Sequence, residues 1–323
     1  MKAIYLNKNI KTVDWVFSEE TQRALGDKLE ILGKVRVDDM DSQRDILKQA
    51  ECILSTWGMP ALTGEQIDEY LPNLKIVFYG AGSVQYFARP FIERGIHVCS
   101  SWQANGIPVA ENVMSLILLS NKGYFRRADD YRADKTKSTH NDFPGNFGCK
   151  IGLIGKVAEL MKPFRVNILA YDPFVSDEVM ASRGVKRATL EEIFSECQTI
   201  SNHLPNLDST KKMLTYDLFK LMKPNATFIN TGRGAQLIED DLARAMKEAP
   251  RRTALLDVTW PEPCPAESPF WSLPNVILTP HLAGSLGDEV MRMGEYMLEE
   301  CERYLDGKPL VYDVSMEMLE HMA

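Results

Sequence analysis

Short apolar runs alternate with helical patterns along the whole chain. In the first hundred residues the runs are Ala3–Leu6, Val35–Val37, Cys52–Ser55, Ile76–Tyr79 and His97–Ser100. Runs separated by helices in this way predict βαβ units and a parallel sheet. Amphipathic helices lie between the runs. One follows Ser18; another follows Thr63, whose spacing to Gln66 fits a capping box. A long, largely apolar helix is predicted to begin near Pro108, a residue suited to a first helical turn, and to run through VAENVMSLILLSNKGYF. A polar stretch, Ser138–Gly148, separates it from a second alternating series. Its strands are Ile151–Ile154, Ile168–Tyr171, Thr199–Asn202, Ala226–Asn230, Ala254–Val258 and Val276–Leu278, and Thr189 with Glu192 marks a further capping box. From Gly287 the pattern gives one helix and then a tail. There is no repeat and no low-complexity tract.

Two successive strand–helix series imply an α/β protein made of two doubly wound parallel-sheet domains, of Rossmann or flavodoxin type, with ligands in the interdomain cleft. The 323 residues suffice for two such cores, and a balance of 45% hydrophobic to 25% charged residues is that of an ordinary globular chain. A net charge of −8 argues against nucleic acid or an anionic membrane as partner. No apolar run approaches the roughly 18 residues of a membrane span, and the opening MKAIYLNKNIKTVDW reads as a first strand rather than a signal peptide. The six cysteines fall neither in CxxC pairs nor at zinc-site spacings. They imply reduced thiols, a cytoplasmic protein and no metal centre.

The segment CKIGLIG is a buried strand running into Gly155, and VNILAYDP is a second strand ending at Asp172. A carboxylate there is placed to bond the ribose 2′-hydroxyl of NAD and to repel the 2′-phosphate of NADP. The turn between them is short. Gly155 is followed directly by Lys-Val-Ala-Glu-Leu, without the remainder of a Gly-x-Gly-x-x-Gly loop, and Asp172 lies 17 positions beyond Gly155 instead of about 20. Either the chain lacks the loop and binds dinucleotide poorly, or residues are missing from the written sequence between Gly155 and Lys156. The second reading is preferred. It requires a gap at that junction far wider than the roughly 1.33 Å of a peptide bond.

Seven motifs in order carry a family resemblance: YGAGSV (79–84), NGIPVAE (105–111), GLIG with its displaced YDP, NHLP (202–205), NTGRG (230–234), LDVTWPEP (256–263) and TPHLAG (279–284). The chain resembles the D-isomer-specific 2-hydroxyacid dehydrogenases over nearly its whole length. That resemblance implies a substrate domain of residues 1–104 plus 287–323 and an inserted NAD domain of 105–286. It also implies hydride transfer between NAD(H) and a small D-2-hydroxy acid or 2-keto acid, and a homodimer formed partly through the helix at Pro108–Tyr124. The competing reading is a dinucleotide-sensing scaffold or corepressor with this fold and little turnover.

By position alone, Arg233 reads more readily as a solvated loop arginine, His281 as a structural histidine and Glu262 as a surface carboxylate. The motif context makes them a catalytic set. The Arg233 guanidinium would grip the substrate carboxylate. His281 would exchange a proton with the substrate oxygen, and Glu262 would orient the imidazole. By resemblance Pro205, Thr210, Thr231, Asp257, Ala283 and Gly284 join Gly155 and Asp172 along the cofactor. Ala81 and Gly82, in a glycine turn, could offer backbone N–H groups to the substrate. Trp57 and Tyr79 are either pocket wall or core. His203 is expected to orient backbone, and His97, His140 and His321 to be structural or at the surface. No Arg/Lys cluster flags a phosphate, which favours a small unphosphorylated acid such as glyoxylate, hydroxypyruvate or pyruvate.

Overall fold

The computed structural model describes residues 1–135, 142–155, 158–173 and 175–320. His140, His321 and the start of the polar stretch Ser138–Gly148 lie outside the described residues, as does the Gly155–Lys156 junction. The strands are β1 (Lys2–Asn7), β2 (Glu30–Arg36), β3 (Cys52–Ser55), β4 (Ile76–Tyr79), β5 (His97–Ser100), β6 (Lys150–Gly155), β7 (Asn167–Tyr171), β8 (Val185–Arg187), β9 (Thr199–His203), β10 (Thr227–Asn230), β11 (Thr253–Leu256) and β12 (Val276–Leu278). Among the described residues they form two sheets. One has the order β2-β1-β3-β4-β5 and the other β12-β11-β10-β9-β6-β7-β8, and every pairing within them is parallel. The first order is that of flavodoxin-like sheets. The second is the Rossmann order extended by one strand, with its switch point between β6 and β9.

The chain divides into two compact units, Met1–Pro108 with Gly284–Ala323, and Val109–Ala283. The boundaries drawn from sequence, 104/105 and 286/287, differ by four and three residues. Each sheet is buried on both faces, which explains the unbroken apolar strands. In the first unit Ile4, Leu6, Ile53 and Val77 pack on one side, while Ala3, Tyr5, Leu54 and Phe78 pack on the other with Val290, Met293 and Met297 of the helix Glu289–Leu305. In the second unit Ile200, Phe228 and Leu256 face one core and Ile151, Leu153, Ile229 and Leu255 the other.

Both capping boxes form as expected. Gln66 N–H donates to Thr63 Oγ1 (3.3 Å) and Thr63 N–H to Gln66 Oε1 (2.9 Å); Glu192 and Thr189 repeat the exchange at 3.2 and 2.8 Å. Other expectations need correction. The long helix spans Trp102–Asn121 and holds Pro108 in its interior. Asn105 and Gly106 are poor helix formers, but a tertiary bond from Ser285 N–H to Asn105 Oδ1 (3.0 Å) fixes Asn105 within the helix. Nor does that helix run on through Phe125. Gly123 turns left-handed (φ 67°) and a separate helix starts at Tyr124, as glycine just past a helix end favours. β8 escaped the sequence pattern because it is three residues long and two of them are exposed. The C-terminal tail is not loose. Tyr312 and Val314 bond along β5 (Ser100 N–H to Tyr312 O, 3.0 Å; Val314 N–H to Val98 O, 2.9 Å), and the buried Glu300 carboxylate accepts from the N–H groups of Val311 and Tyr312.

Gly294, in the helix Glu289–Leu305, lies so close to the Val16 backbone that a Cβ there would sit 2.3 Å from the Val16 carbonyl oxygen. Gly294→Ala is therefore expected to cost about 1–3 kcal/mol through overpacking and to lower the melting temperature by several degrees. An unchanged melting curve would contradict this seating of the helix.

Candidate active site

Because every strand of the seven-stranded sheet runs the same way, the residues just past the strand ends gather along one edge. Gly155 ends β6, Asp172 follows β7, His203 ends β9 with Leu204 and Pro205 after it, Thr231 to Arg233 follow β10, Asp257 follows β11, and Thr279 to Ala283 follow β12. This C-terminal edge is where doubly wound sheets bind ligands.

His281 Nδ1 lies 2.6 Å from Glu262 Oε1. An ionised carboxylate only accepts, so the proton of this bond belongs to Nδ1 and the other ring nitrogen, Nε2, is left for proton exchange. Both side chains are partly open, at 45% and 41% exposure. His281 adopts a left-handed backbone conformation (φ 54°), uncommon for a non-glycine residue and costing on the order of 1 kcal/mol. Asp257 holds it there. The Asp257 carboxylate accepts from Thr279 Oγ1 (2.6 Å), Leu282 N–H (2.8 Å) and Ala283 N–H (2.9 Å), and its backbone carbonyl accepts from His281 N–H (3.0 Å).

Arg233 is half-buried, and burial pulls its guanidinium below its ordinary pKa while the Glu262 charge acts in the opposite direction. The three proposed catalytic groups are thus electrically linked: Glu262 bonds His281 and acts on Arg233. Arg233 Nη1 donates to Gly232 O (2.8 Å); among the described residues its side chain makes no other hydrogen bond. Gly234 lets the two segments approach, since a Cβ there would stand 2.1 Å from the Thr259 carbonyl carbon. Glu239 steadies the same loop by accepting from Trp260 N–H (2.7 Å), and burial raises its pKa.

Beneath Arg233 lies a buried amide network that the sequence did not announce. Asn202 Nδ2 donates to Asn230 Oδ1 (3.0 Å) and to Gln236 Oε1. Asn230 Oδ1 accepts from Gly232 N–H (3.1 Å), and Asn230 Nδ2 donates to Arg233 O (3.2 Å). Gln236 accepts from Arg233 N–H (3.1 Å) and donates to the carbonyls of Leu204 (2.6 Å) and Pro205 (2.8 Å). All three amides are fully buried. Asn202 and Asn230 open the motifs NHLP and NTGRG, and that was the available signal for them.

Several expected ligand contacts are engaged inside the protein. Thr210 Oγ1 donates toward the carbonyls of Pro205 (2.7 Å) and Leu207 (3.0 Å). The Thr231 hydroxyl bonds His203 Nδ1 (3.1 Å), and His203 Nε2 bonds Ser201 Oγ (2.7 Å), so His203 is held by hydroxyls rather than orienting backbone. Asp172 is buried and its backbone carbonyl accepts from Arg187 Nη1 (2.9 Å). His97 pairs with Asp313 (2.7 Å). In the first unit, Trp57 is 37% exposed beside Trp15 (ring centroids 6.1 Å apart). Tyr79 is core, 1% exposed, its hydroxyl near that of Tyr86 (3.4 Å). Ala81 N–H folds back on Tyr79 O (2.9 Å), which leaves Gly82 as the candidate donor of that turn. Gly284 belongs to the first unit and packs on Asn105. None of the six cysteines is in a disulfide, and burial pushes the Cys149 thiol up to about 11 and the Cys197 thiol up to about 12. Among the described residues no group of His, Cys, Asp or Glu could hold a metal ion, and no helix is long and apolar enough to cross a membrane.

Against known proteins, the family model described as "D-isomer specific 2-hydroxyacid dehydrogenase, NAD binding domain" matches residues 114–283. The chain is 28% identical over 291 residues to D-3-phosphoglycerate dehydrogenase of Methanocaldococcus jannaschii, covering 87% of this chain and 55% of that protein. It is 29% identical over 283 residues to formate dehydrogenase of Neurospora crassa, covering 81% and 75%. The crystal structure of a phosphoglycerate oxidoreductase from Rhizobium etli aligns with a TM-score of 0.80 at 25% identity, covering 98% of this chain and 99% of that one. The chain spans about half the length of the phosphoglycerate dehydrogenases it matches.

Burial lowers His203 from 6.5 to about 3. Between those values the unfolded chain binds a proton that the folded chain refuses, so this ring removes stability as pH falls from neutrality. His203→Gln is expected to flatten the acid side of the melting-temperature profile relative to the parent. Equal slopes in parent and variant would show that His203 does not titrate in this way.

Proposed function

Because this chain belongs to the D-isomer specific 2-hydroxyacid dehydrogenase family, we infer that it interconverts a small D-2-hydroxy acid and its 2-keto acid with NAD. The observation that carries this reading is the 2.6 Å His281–Glu262 bond on the strand-end edge that also holds Arg233. Bound nicotinamide supplies or accepts the hydride. The chain's own residues do the rest. Arg233, anchored at one nitrogen by Gly232 O, presents the remainder of its planar fork to the substrate carboxylate. In the oxidative direction His281 Nε2 accepts the hydroxyl proton; in the reductive direction it donates to the ketone oxygen. Glu262 fixes which nitrogen carries the resting proton and places a negative charge beside the imidazolium form.

Asp172, the residue just past β7, suits the adenosine ribose of NAD. Gly155, Pro205, Thr210, Thr231, Asp257, Ala283 and Gly284 remain the residues assigned to the cofactor's path, with Thr210 and Asp257 contributing by shaping the backbone around it. Trp57 and Gly82 are assigned to the substrate; Tyr79 and Ala81 support them from the core. The helices Trp102–Asn121 and Tyr124–Asp134 leave Leu119, Tyr124 and Tyr131 exposed, which supports pairing of two copies there as a homodimer. A cytoplasmic enzyme acting on a small acid fits the unpaired cysteines and the net charge of −8.

His281→Gln is expected to leave NADH binding near the parental level while reducing turnover by about 10²- to 10⁴-fold. The parent is to be assayed by NADH absorbance against a panel of 2-keto acids that includes glyoxylate, hydroxypyruvate and pyruvate. Parental turnover in the variant removes His281 from the mechanism. NADH binding without consumption by any acid in the panel favours the sensing scaffold instead.

A further inference from the structure

Gln236 closes a one-turn 3₁₀ helix, Gly234–Gln236, just past Arg233, and is fully buried. Its backbone is pinned from outside that turn, Leu214 N–H donating to Gln236 O (3.1 Å). A buried side-chain amide has an oxygen with two acceptor sites and a nitrogen with two donors, and here all four are taken. One side meets the Arg233 N–H and the Asn202 side-chain N–H. The other meets the carbonyl oxygens of Leu204 and Pro205. Donors are answered only by oxygen and carbonyls only by N–H, so the orientation of the amide is forced: Oε1 toward the Arg233 turn, Nε2 toward the segment after β9.

The approach is close. A Cβ on Gly232 would stand 2.8 Å from Gln236 Oε1 and 3.1 Å from Asn202 Nδ2, so the glycine ahead of Arg233 makes room for the amides. The Arg233 backbone is thereby held on both sides, its N–H by Gln236 (3.1 Å) and its carbonyl by Asn230 Nδ2 (3.2 Å). Other side chains fail at position 236. Glutamate matches the shape but, when ionised, offers no donor and sets its charge against two carbonyl oxygens. Methionine is of similar length but offers no donor and only a weak acceptor.

We propose that Gln236 is a positioning residue for carboxylate binding: its one amide locks the turn that carries Arg233 to the segment after β9, and the aim of the guanidinium depends on both halves of that amide. The proposal rests on the dehydrogenase reading above for the role of Arg233 and extends it to a residue that does not touch the acid.

The test uses oxalate, a carboxylate probe that accepts no hydride, titrated calorimetrically into the full chain in excess NADH, near neutral-to-basic pH and again in mild acid. Parent, Gln236→Met and Gln236→Glu are compared at the same pH, which removes the contribution of His281. The groups bonded to the Gln236 side chain are an amide and three backbone groups. Arg233 stays charged across the range, and His203, beside Asn202, is held uncharged by burial. Only the introduced carboxyl therefore titrates in this network, and its burial raises its pKa. At the higher pH both variants are expected to bind oxalate at least about tenfold more weakly than the parent, the effect of buried groups left without partners. In mild acid Gln236→Glu regains one O–H donor and returns to within about threefold of the parent, while Gln236→Met stays weak. A residue that only stabilised the fold would lower the melting temperature and leave the oxalate affinity of the folded protein unchanged; that result overturns the proposal. Equal weakening of both variants at both pH values overturns it too, since no donor is then needed at this position. Should Gln236→Met fail to fold, the pH response of Gln236→Glu decides alone; should Gln236→Glu fail, the affinity of Gln236→Met decides, a parental value overturning the proposal. Oxalate bound by the parent with the expected losses in the variants, but no 2-keto acid of the panel reduced, removes the dehydrogenase reading and keeps the positioning role. A parent that does not bind oxalate overturns both.

Discussion

The Asp257 carboxylate accepts three hydrogen bonds from the short segment after β12, while its own backbone carbonyl takes the His281 amide. Removing any of these donors would leave part of a buried charge unsatisfied, a costly state. The segment therefore has one arrangement, and that arrangement turns His281 left-handed. From there the imidazole reaches Glu262 across a loop whose position is set by other contacts, namely Glu239 on Trp260 and Thr259 against Gly234. The rest of the site depends on this: an imidazole whose Nδ1 is held by the Glu262 carboxylate.

Arg233 is positioned in a different way. Its peptide is held by Asn230 and Gln236, which are in turn tied to Asn202 and to the carbonyls after β9. These amides are neutral, so the network avoids the large cost of burying charge and does not change state with pH. Every member is satisfied, the condition under which a buried polar cluster specifies one geometry. The three segments that carry Arg233, Glu262 and His281 thus rest on separate supports, charged under His281 and neutral under Arg233, and the Arg233 and Glu262 segments meet where Gly234 lacks a side chain.

The fold was largely legible because parallel strands covered on both faces leave continuous apolar runs, and because Thr63 and Thr189 announce their helices by local chemistry. What escaped was decided by partners far along the chain. Asn105 is drawn into a helix by Ser285, Tyr79 is in the core with Phe87 packed against it at a tilt (centroids 4.9 Å apart), and Thr210 serves its own loop. Arg233, Glu262 and His281 were proposed from their motifs. Asn202, Asn230 and Gln236 could not be given roles, because an amide's function here lies in which other amide it meets. The short step from Gly155 to Asp172 was visible as a count, and the junction that would interpret it lies outside the described residues.

The first unit is made of both ends of the chain. The sheet face bearing Tyr5 and Phe78 is covered by Val290, Met293 and Met297, and the open side of β5 is taken by residues 312–314. During synthesis, which proceeds from the N-terminus, that face waits while the whole middle unit is made and can fold. The nascent protein thus carries an uncovered apolar sheet until the helix Glu289–Leu305 leaves the ribosome, and premature termination near residue 284 would release a chain with a finished central domain and a permanently sticky partner.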